Sequence, residues 1–486
     1  MKLKILNFPL IPHHKDEQRQ WFLFGCILLL AIGLYIYKID SKGLWIDEFI
    51  SLIDAEKLRM KDGRFLYYPL LAFWTTFSNS DAWLRGLSVI FAVGSVILLY
   101  ELARYLFNET TGLIAALMLT LSPLFINHAQ EVRYYTLATC VTLAGTLFLA
   151  HALKQPDNWK TKAGWAIMRF LAILTVPFNG TLLGADLLLI GTQFSKQKQR
   201  LLSFATPLIG LIILSIPVAI DLLSAVTSGK HYLVGSTPGI REVLREVRIL
   251  TAYSYPPPPP YLTRFLHVYI LLAVAVLVIA IVKKPRSQQT LWVAAWGFIP
   301  LIIIFVYSHL SNSIWITRYF LFVAPYLFLL LAVGFLKIWR KWRFMALIVA
   351  MVYAIAVSIG LTHYYSSPER YMGARGDFYR GIAQIINAEE KPGDVIIWSI
   401  IHGTSKPLEH YHRGSASIIK KEYEYNFDEA NLKKWLNSLP PIESRMWIVY
   451  PNQSELFCQL LKEKYNNVKN YKKFGQCNVS LINPEI

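Results

Sequence analysis

Long apolar runs separated by short polar segments fill most of the chain. The first run, from Trp21 to Tyr37, approaches the roughly 20 residues that a helix needs to cross a hydrocarbon core of about 30 Å. Ten runs of similar length follow, near residues 83–102, 112–127, 134–153, 163–178, 180–195, 201–220, 265–282, 290–307, 319–336 and 344–361. The pattern predicts an α-helical membrane protein with about eleven transmembrane helices.

Two of these runs leave alternatives. The first has the position of a secretory signal peptide, but no small-residue cleavage site follows it, and we interpret it as a retained span. The short runs 163–178 and 180–195 meet at Asn179-Gly180, which suggests a turn between two helices. If the two runs formed one long helix instead, every later loop would lie on the opposite side of the membrane. The basic loop at 196–200 favours two helices.

The distribution of charge supports a membrane protein and predicts its orientation. Hydrophobic residues make up 54% of the chain, charged residues 16%, and the net charge is +18. Lys and Arg concentrate in alternate short loops, which places the N-terminus in the cytoplasm of a plasma (inner) membrane protein. We therefore attribute the net charge to membrane orientation and expect no nucleic-acid partner.

Three longer segments then fall on the extracytoplasmic side: 39–82, 221–264 and the C-terminal part. After residue 362 the composition becomes mixed in charge, and helix and strand patterns alternate. We predict a transmembrane domain over 1–361, with 39–82 as its first outer loop, and a small soluble α/β domain over 362–486. The predicted helices are 378–390, 427–439 and 452–465, and the predicted strands are 395–398, 445–450 and 479–482.

Two features of the outer segments stay open. The five consecutive prolines from Pro256 to Pro260 form either a stiff spacer or a loop that folds over a lipid substrate. Cys458 and Cys477 either form a disulfide in an oxidising compartment or remain separate thiols.

An acidic pair, Asp47-Glu48, follows the first span. Acidic side chains are favourable at the N-terminus of a helix, and we predict a helix from Asp47 to Met60 that lies along the membrane interface. A stripe on this helix would face the membrane, and it consists of Phe49, Leu52, Ile53 and Leu58. The pair is either a simple helix terminus or a base placed at the membrane boundary.

Two further polar clusters fall on the same predicted side. Within Asn127-His128-Ala129-Gln130-Glu131-Val132-Arg133-Tyr134-Tyr135, the spacing of Gln130, Arg133 and Tyr134 predicts one helix face. Trp315-Ile316-Thr317-Arg318-Tyr319 opens a late span, and Arg85 lies near the same boundary. These residues are either interface anchors or a phosphate site, since guanidinium groups bind phosphate oxygens well.

These motifs resemble a family. GLWIDE after the first span, HAQEVRYY after the third and ITRYFLFVAPY in a late span are similar to motifs of membrane glycosyltransferases of the C-type fold. That group includes the protein O-mannosyltransferases and the lipid A aminoarabinose transferase. The stretch from Asp81 to Phe107 resembles the family's second span, and the similarity is strongest over about the first 150 residues.

The resemblance implies an enzyme that uses a sugar carried on polyprenyl phosphate. Asp47 would then be the base that deprotonates the acceptor. Glu48 beside it would position the acceptor or a polar partner, and Glu131 would be a further acidic contact. The donor and its phosphate would be bound by residues of the other motifs, namely Arg85, His128, Gln130, Glu131, Arg133, Tyr134, Arg318 and Tyr319. The expected partners are the lipid-linked sugar, membrane lipids and an acceptor glycan, lipid or protein.

The expected reaction needs one general base and groups that balance the charge on the leaving phosphate. It does not need a general acid. Asp47, Glu48 and His128 offer ligands for a divalent metal, but no ligand-spacing motif is present and we expect no obligatory metal cofactor.

Two other functional classes stay open. A multi-pass transporter or flippase of a lipid-linked substrate is an alternative, although the sequence shows no internal repeat. A third possibility is that the outer α/β domain is a binding module and the helices only anchor it. The number of spans argues against this, because one span would suffice as an anchor. Within the spans, we predict that Arg169 and Asp186 form a structural ion pair.

Overall fold

The computed structural model describes residues 15–58, 65–227, 236–253, 260–367, 377–400, 404–422, 429–441, 444–449, 455–473 and 476–484. The chain divides into two compact units. The first, called the membrane unit here, comprises Met1–Asp40 and Asp54–Gly373. The second, called the C-terminal unit, comprises Ser41–Ile53 and Ala374–Ile486. The sequence placed all of 39–82 with the membrane domain, whereas residues 41–53 group with the C-terminal residues.

The membrane unit is helical. Its α-helices are α1 (Lys15–Ile36), α3 (Tyr67–Thr75), α4 (Asp81–Leu106), α5 (Glu109–Thr120), α6 (Pro123–Ala129), α7 (Tyr135–Lys154), α8 (Trp159–Thr175), α9 (Leu182–Phe194), α10 (Lys198–Leu202), α11 (Ala205–Thr227), α12 (Ile240–Thr251), α13 (Pro260–Val282), α14 (Gln288–Leu310), α15 (Ala324–Lys341) and α16 (Arg343–Ser366). Two 3₁₀ helices, η1 (Pro177–Thr181) and η2 (Thr317–Val323), interrupt them. Helix α2 (Ile46–Glu56) lies mostly in the C-terminal unit.

Membrane-length helices make this a multi-pass membrane protein. In the described part of the chain, eight helices are long and apolar enough to span a membrane. Helices α5 and α6, which are bent by 65° relative to each other, add a ninth span if the pair is counted as one. The predicted count of eleven is not confirmed. The predicted runs 163–178 and 180–195 form two separate helices, as the basic loop favoured, but α8 has 17 residues and α9 only 13. The helices are short because Pro177 starts the 3₁₀ turn between them.

Arg169 and Asp186 join α8 to α9 inside the membrane unit. The two side chains are buried, and Arg169 Nε donates to Asp186 Oδ2 at 2.7 Å. Arg169 also donates to the Thr142 carbonyl and to Thr146 Oγ1, each at 2.9 Å. The predicted structural ion pair is confirmed, and its hydrogen bonds show how a buried charge pair is tolerated at this depth.

The C-terminal unit contains a five-stranded sheet in the order β2-β1-β3-β5-β4. Strand β1 pairs in parallel with β2 and β3, and β5 pairs antiparallel with β3 and β4. The strands are β1 (Val395–Ile400), β2 (Ser417–Glu422), β3 (Met446–Val449), β4 (Val468–Lys473) and β5 (Gln476–Ile482). The helices are α17 (Asp377–Glu389), α18 (Lys406–Tyr411), α19 (Glu429–Asn437) and α20 (Glu455–Lys464).

Alternating side chains of the central strands build two hydrophobic cores. Ile397 and Ile448 pack with Leu432 of α19 and Phe457 of α20. Their neighbours along the strands, among them Ile396 and Trp398, pack on the opposite face with Ile382 of α17 and Leu408 of α18. Because side chains alternate across a strand, helices cover both faces of the sheet.

Two features left open by the sequence lie outside the described part. The structure describes only the last of the five prolines, Pro260, where α13 begins. The side chain of Cys477 is also outside it, so the choice between a disulfide with Cys458 and two separate thiols stays open.

Candidate functional site

The two adjacent acids of α2 have different surroundings. Glu48 is completely buried, and its Oε2 accepts a hydrogen bond from the Trp45 backbone N–H at 3.0 Å. This is the contact by which an acid in the first turn caps a helix N-terminus. Asp47 stays partly exposed, and its backbone carbonyl accepts from Ser51 Oγ at 3.1 Å. The structure therefore gives Glu48 a structural contact and leaves Asp47 the more accessible carboxylate.

The predicted membrane-facing stripe on this helix is wrong for its first two residues. Phe49 is 0% exposed and Leu52 is 7% exposed. The Phe49 ring packs against other aromatic rings of the C-terminal unit, because they offer it the apolar cover that the sequence assigned to lipid. The described helix ends at Glu56, and Leu58 lies beyond it with a positive φ of 45°. The predicted end at Met60 lies outside the described residues.

The carboxylate of Glu131 is held by its own motif in the membrane unit. Asn127 Nδ2 donates to Glu131 Oε1 at 2.9 Å, and His128 Nδ1 contacts Glu131 Oε2 at 2.9 Å. Ser88 of α4 fixes the backbone by donating to the Glu131 carbonyl at 2.6 Å. All four side chains are buried. Asn127, His128 and Glu131 thus form a preorganised polar cluster at the end of α6.

Gln130 faces a different direction. Its Nε2 donates to the carbonyls of Tyr35 at 3.0 Å and Tyr37 at 2.8 Å, at the C-terminus of α1. Its Oε1 accepts from Tyr364 of α16 at 2.8 Å. The amide therefore satisfies carbonyls that a helix end leaves without partners. The prediction that Gln130, Arg133 and Tyr134 share a helix face is wrong, because α6 ends at Ala129 and α7 begins at Tyr135.

Arg133 and Arg318 come from distant parts of the sequence and both lie near Tyr135. Arg133 Cζ lies 4.7 Å from the centroid of the Tyr134 ring, and its Nη2 donates to the Tyr134 hydroxyl at 3.2 Å. The charges of both arginines act on the hydroxyl of Tyr135. Both arginines therefore lie near the same tyrosine within the membrane unit, and their binding of a phosphate stays a prediction.

Arg318 lies at the start of η2 and is partly exposed. Its Cζ is 5.5 Å from the centroid of the Tyr319 ring, which packs against Phe178 at 4.8 Å. Arg85 is more enclosed. It is 0% exposed, and its Nη1 donates to the Ile39 carbonyl at 2.6 Å, which ties α4 to the turn after α1.

Sequence reasoning missed Glu246 of α12. Its side chain is 2% exposed, and its Oε1 accepts from Thr317 Oγ1, next to Arg318, at 2.8 Å. Burial raises the pKa of Glu246 to about 7, although Thr317 and the nearby arginines favour the ionised form. One signal could have revealed it: Glu246 falls at helical spacing between Val243 and Leu250, inside the apolar stripe.

An apolar cavity of about 400 Å³ lies among α5, α13, α15 and α16. Its lining includes Leu121, Tyr269 and Leu361. The Tyr269 hydroxyl pairs with Thr251 Oγ1 at 2.6 Å, on the helix that carries Glu246. The cavity wall at Tyr269 therefore adjoins α12.

The described residues include no group of three or more His, Cys, Asp or Glu side chains arranged to hold a metal ion.

Comparisons with known proteins agree with the resemblance seen in the motifs. Residues 65–222 match the family model described as dolichyl-phosphate-mannose-protein mannosyltransferase. Sequence comparison with curated proteins gives no significant match.

Solved structures show the same fold. The structure of ArnT from Cupriavidus metallidurans bound to undecaprenyl phosphate matches with a TM-score of 0.57 at 14% identity, over 95% of this chain and 98% of that chain. Its apo structure gives 0.59 at 13% identity, over 96% and 98%. The oligosaccharyltransferase AglB from Archaeoglobus fulgidus, in complex with an inhibitory peptide and a dolichol-phosphate, gives 0.53 at 12%, over 97% and 75%. Family model and fold together confirm the resemblance to C-type membrane glycosyltransferases.

Proposed function

We propose that this protein transfers a monosaccharide from a polyprenyl-phosphate donor to an acceptor on the extracytoplasmic side of the plasma membrane, with Asp47 as the general base. The observation that carries the proposal is that Arg133 and Arg318 both lie within electrostatic range of Tyr135, whose ring centroid is 5.8 Å from Arg133 Cζ. Two guanidinium groups brought together from distant segments suit a phosphate better than an uncharged ligand. We assign the donor phosphate to them.

The lipid part of the donor has a matching environment. The cavity among α5, α13, α15 and α16 is lined almost wholly by apolar side chains, which suits an isoprenoid chain and disfavours a hydrated solute. Its wall at Tyr269 adjoins α12, and Thr317 joins α12 to the segment that carries Arg318. A lipid lying in the cavity would thus have its phosphate near the arginines.

The reaction follows from these parts. Asp47 accepts the proton of the acceptor hydroxyl while the acceptor oxygen forms a bond to the anomeric carbon of the sugar. The bond between that carbon and the phosphate oxygen breaks, and the electron pair leaves with the phosphate. Arg133 and Arg318 balance the charge that develops on the leaving group. A single displacement of this kind inverts the configuration at the anomeric carbon.

Two predicted contributors take supporting roles in this proposal. Glu48 already accepts the Trp45 N–H, so we assign it to holding α2. Gln130 is engaged with α1 and α16, so we assign it to the shape of the site rather than to the donor. His128 and Glu131 hold each other, while the Tyr134 ring lies against Arg133 and the Tyr319 ring against Arg318.

The test replaces each arginine separately with glutamine. Because charge-assisted hydrogen bonds contribute about 1.5–3 kcal/mol, Arg133→Gln and Arg318→Gln should each weaken binding of polyprenyl phosphate in detergent micelles by about tenfold or more. Arg200→Gln is the matched control, since Arg200 is 45% exposed in a 3.8 Å surface pair with Asp157. Unchanged affinity in both site variants would refute the phosphate assignment.

A second assay separates transfer from transport. Vesicles containing the protein and a fluorescent lipid-linked sugar are followed for release of free polyprenyl phosphate and for movement of intact lipid between leaflets. We expect acceptor-dependent release. Movement of intact lipid without sugar release would instead support a flippase.

A further inference from the structure

Within the C-terminal unit, the segment that carries Asp47 is attached to the part formed by residues 374–486 by a direct hydrogen bond. The backbone N–H of Leu44 donates to the hydroxyl of Tyr411, at the end of α18, at 2.7 Å. Leu44 is completely buried. This contact joins residues separated by 367 positions in the sequence. It therefore depends on the tertiary fold and not on the local structure of the first loop.

Aromatic packing reinforces the attachment two residues after Asp47. The ring of Phe49 meets three rings of the C-terminal unit edge to face: Tyr379 at 5.8 Å, His410 at 5.6 Å and Tyr411 at 6.1 Å between centroids. Interplanar angles of 86°, 72° and 89° are the geometry that aromatic pairs prefer. Helix α2 thus has a fixed rotation about its own axis.

That rotation determines where Asp47 points. Residues two apart on a helix lie on different faces, so burial of Phe49 leaves Asp47 on a more open side. Asp47 is still close to Tyr379 of α17. Burial raises the pKa of Tyr379, and the negative charge of Asp47 raises it further, which places the Asp47 carboxylate near the Tyr379 hydroxyl.

The surface that receives α2 is itself rigidly held. Asn387 of α17 donates to the Tyr411 carbonyl at 3.2 Å, and the guanidinium of Arg380 lies 5.5 Å from the Tyr411 ring centroid. Glu390 accepts from His412 at 2.5 Å and from the Ala416 N–H at 2.7 Å. The loop around Tyr411 is therefore fixed to α17 on both sides.

We infer that Tyr411 is a positioning residue for the general base: the C-terminal unit holds the Leu44 backbone and the Phe49 ring, and through them it sets the placement of Asp47. The inference rests on the role proposed above for Asp47. It gives the C-terminal unit a part in the chemical step, beyond any selection of the acceptor. Loss of the Tyr411 hydroxyl should therefore slow transfer without weakening donor binding.

The test compares Tyr411→Phe with Tyr471→Phe in the full-length protein. Tyr471 donates to Glu389 Oε2 at 2.5 Å in the same unit, so the control loses an equivalent hydroxyl away from Leu44. Hydrogen exchange of the peptide over residues 41–53 reports the attachment directly. We expect Tyr411→Phe to speed this exchange and to lower kcat by about tenfold, the effect of one lost hydrogen bond of about 1.4 kcal/mol, with the KM for the donor unchanged.

The outcomes separate this inference from the proposed function. Unchanged exchange at 41–53 in Tyr411→Phe would overturn the attachment, and faster exchange with unchanged kcat would overturn the positioning role. Asp47→Asn is measured alongside. If that variant is fully active, the role of Asp47 as base fails and the positioning role fails with it, whereas the exchange data still report whether Tyr411 holds the segment.

Discussion

Replacing Asp186 with Asn tests how the short helices α8 and α9 are held together. The Asp186 carboxylate accepts from Arg169 Nε at 2.7 Å, Arg169 Nη2 at 3.1 Å, Trp165 Nε1 at 2.8 Å and Trp296 Nε1 at 2.9 Å. Asparagine keeps one acceptor oxygen and turns an NH₂ group toward the remaining donors. The guanidinium of Arg169, 1% exposed, would then lack its counter-ion.

The expected cost follows from this burial. Breaking a buried ion pair by removing one partner costs about 3–5 kcal/mol, because the remaining charge stays desolvated. The same substitution at Asp157, 86% exposed and 3.8 Å from Arg200, should cost no more than about 1 kcal/mol. The two variants differ in burial and not in the chemical change.

The assay is equilibrium unfolding of the purified protein in mixed micelles with increasing denaturing detergent. We expect Asp186→Asn to lower the free energy of unfolding by about 3 kcal/mol more than Asp157→Asn, which is about a hundredfold in the unfolding equilibrium. Equal losses in the two variants would refute the reasoning that the buried pair stabilises the membrane unit.

Two further variants test individual side chains of the site. Burial raises the pKa of Glu246 from 4.5 to about 7, so its contribution to stability is fully present below pH 4.5 and is lost as the pH rises through 7. Glu246→Gln, neutral at every pH, should raise stability at pH 8 by up to about 3 kcal/mol and flatten the dependence of Tm on pH; equal slopes in wild type and variant would contradict this. Glu48→Gln keeps an acceptor for the Trp45 N–H and should retain turnover, whereas Glu48→Ala should lose about 0.5–2 kcal/mol of helix stability and some activity. Inactive Glu48→Gln would show a chemical role.

Hydropathy predicted the membrane helices well because the signal is long and strong. It overestimated the spans at α8 and α9, where the helices are short and Pro177 starts the turn between them. In the C-terminal unit, the predicted strands coincide with β1, β3 and β5, whose residues are mainly apolar. The missed strands, β2 and β4, are the two edges of the sheet and are rich in lysine, which is common at edges and hides the strand pattern.

The site was only partly predictable for a related reason. Arg133 and Arg318 could be proposed from the sequence because guanidinium groups beside aromatic residues stand out at the ends of spans. The contacts of Gln130 with α1 and of Leu44 with Tyr411 join distant parts of the chain, and spacing along one segment carries no information about them. Glu48 and Asp47 look equivalent in sequence, and only the fold distinguishes a buried cap from an accessible carboxylate.

The central claim is that Asp47 is the base, and Asp47→Asn tests it most directly. The matched control is Asp54→Asn on the same helix. Release of polyprenyl phosphate from a lipid-linked sugar is measured in a single turnover, together with donor affinity. We predict that Asp47→Asn binds the donor as tightly as wild type but transfers sugar at least about a hundredfold more slowly, as expected for loss of a general base, while Asp54→Asn transfers at the wild-type rate. Transfer by Asp47→Asn at the wild-type rate would contradict the account.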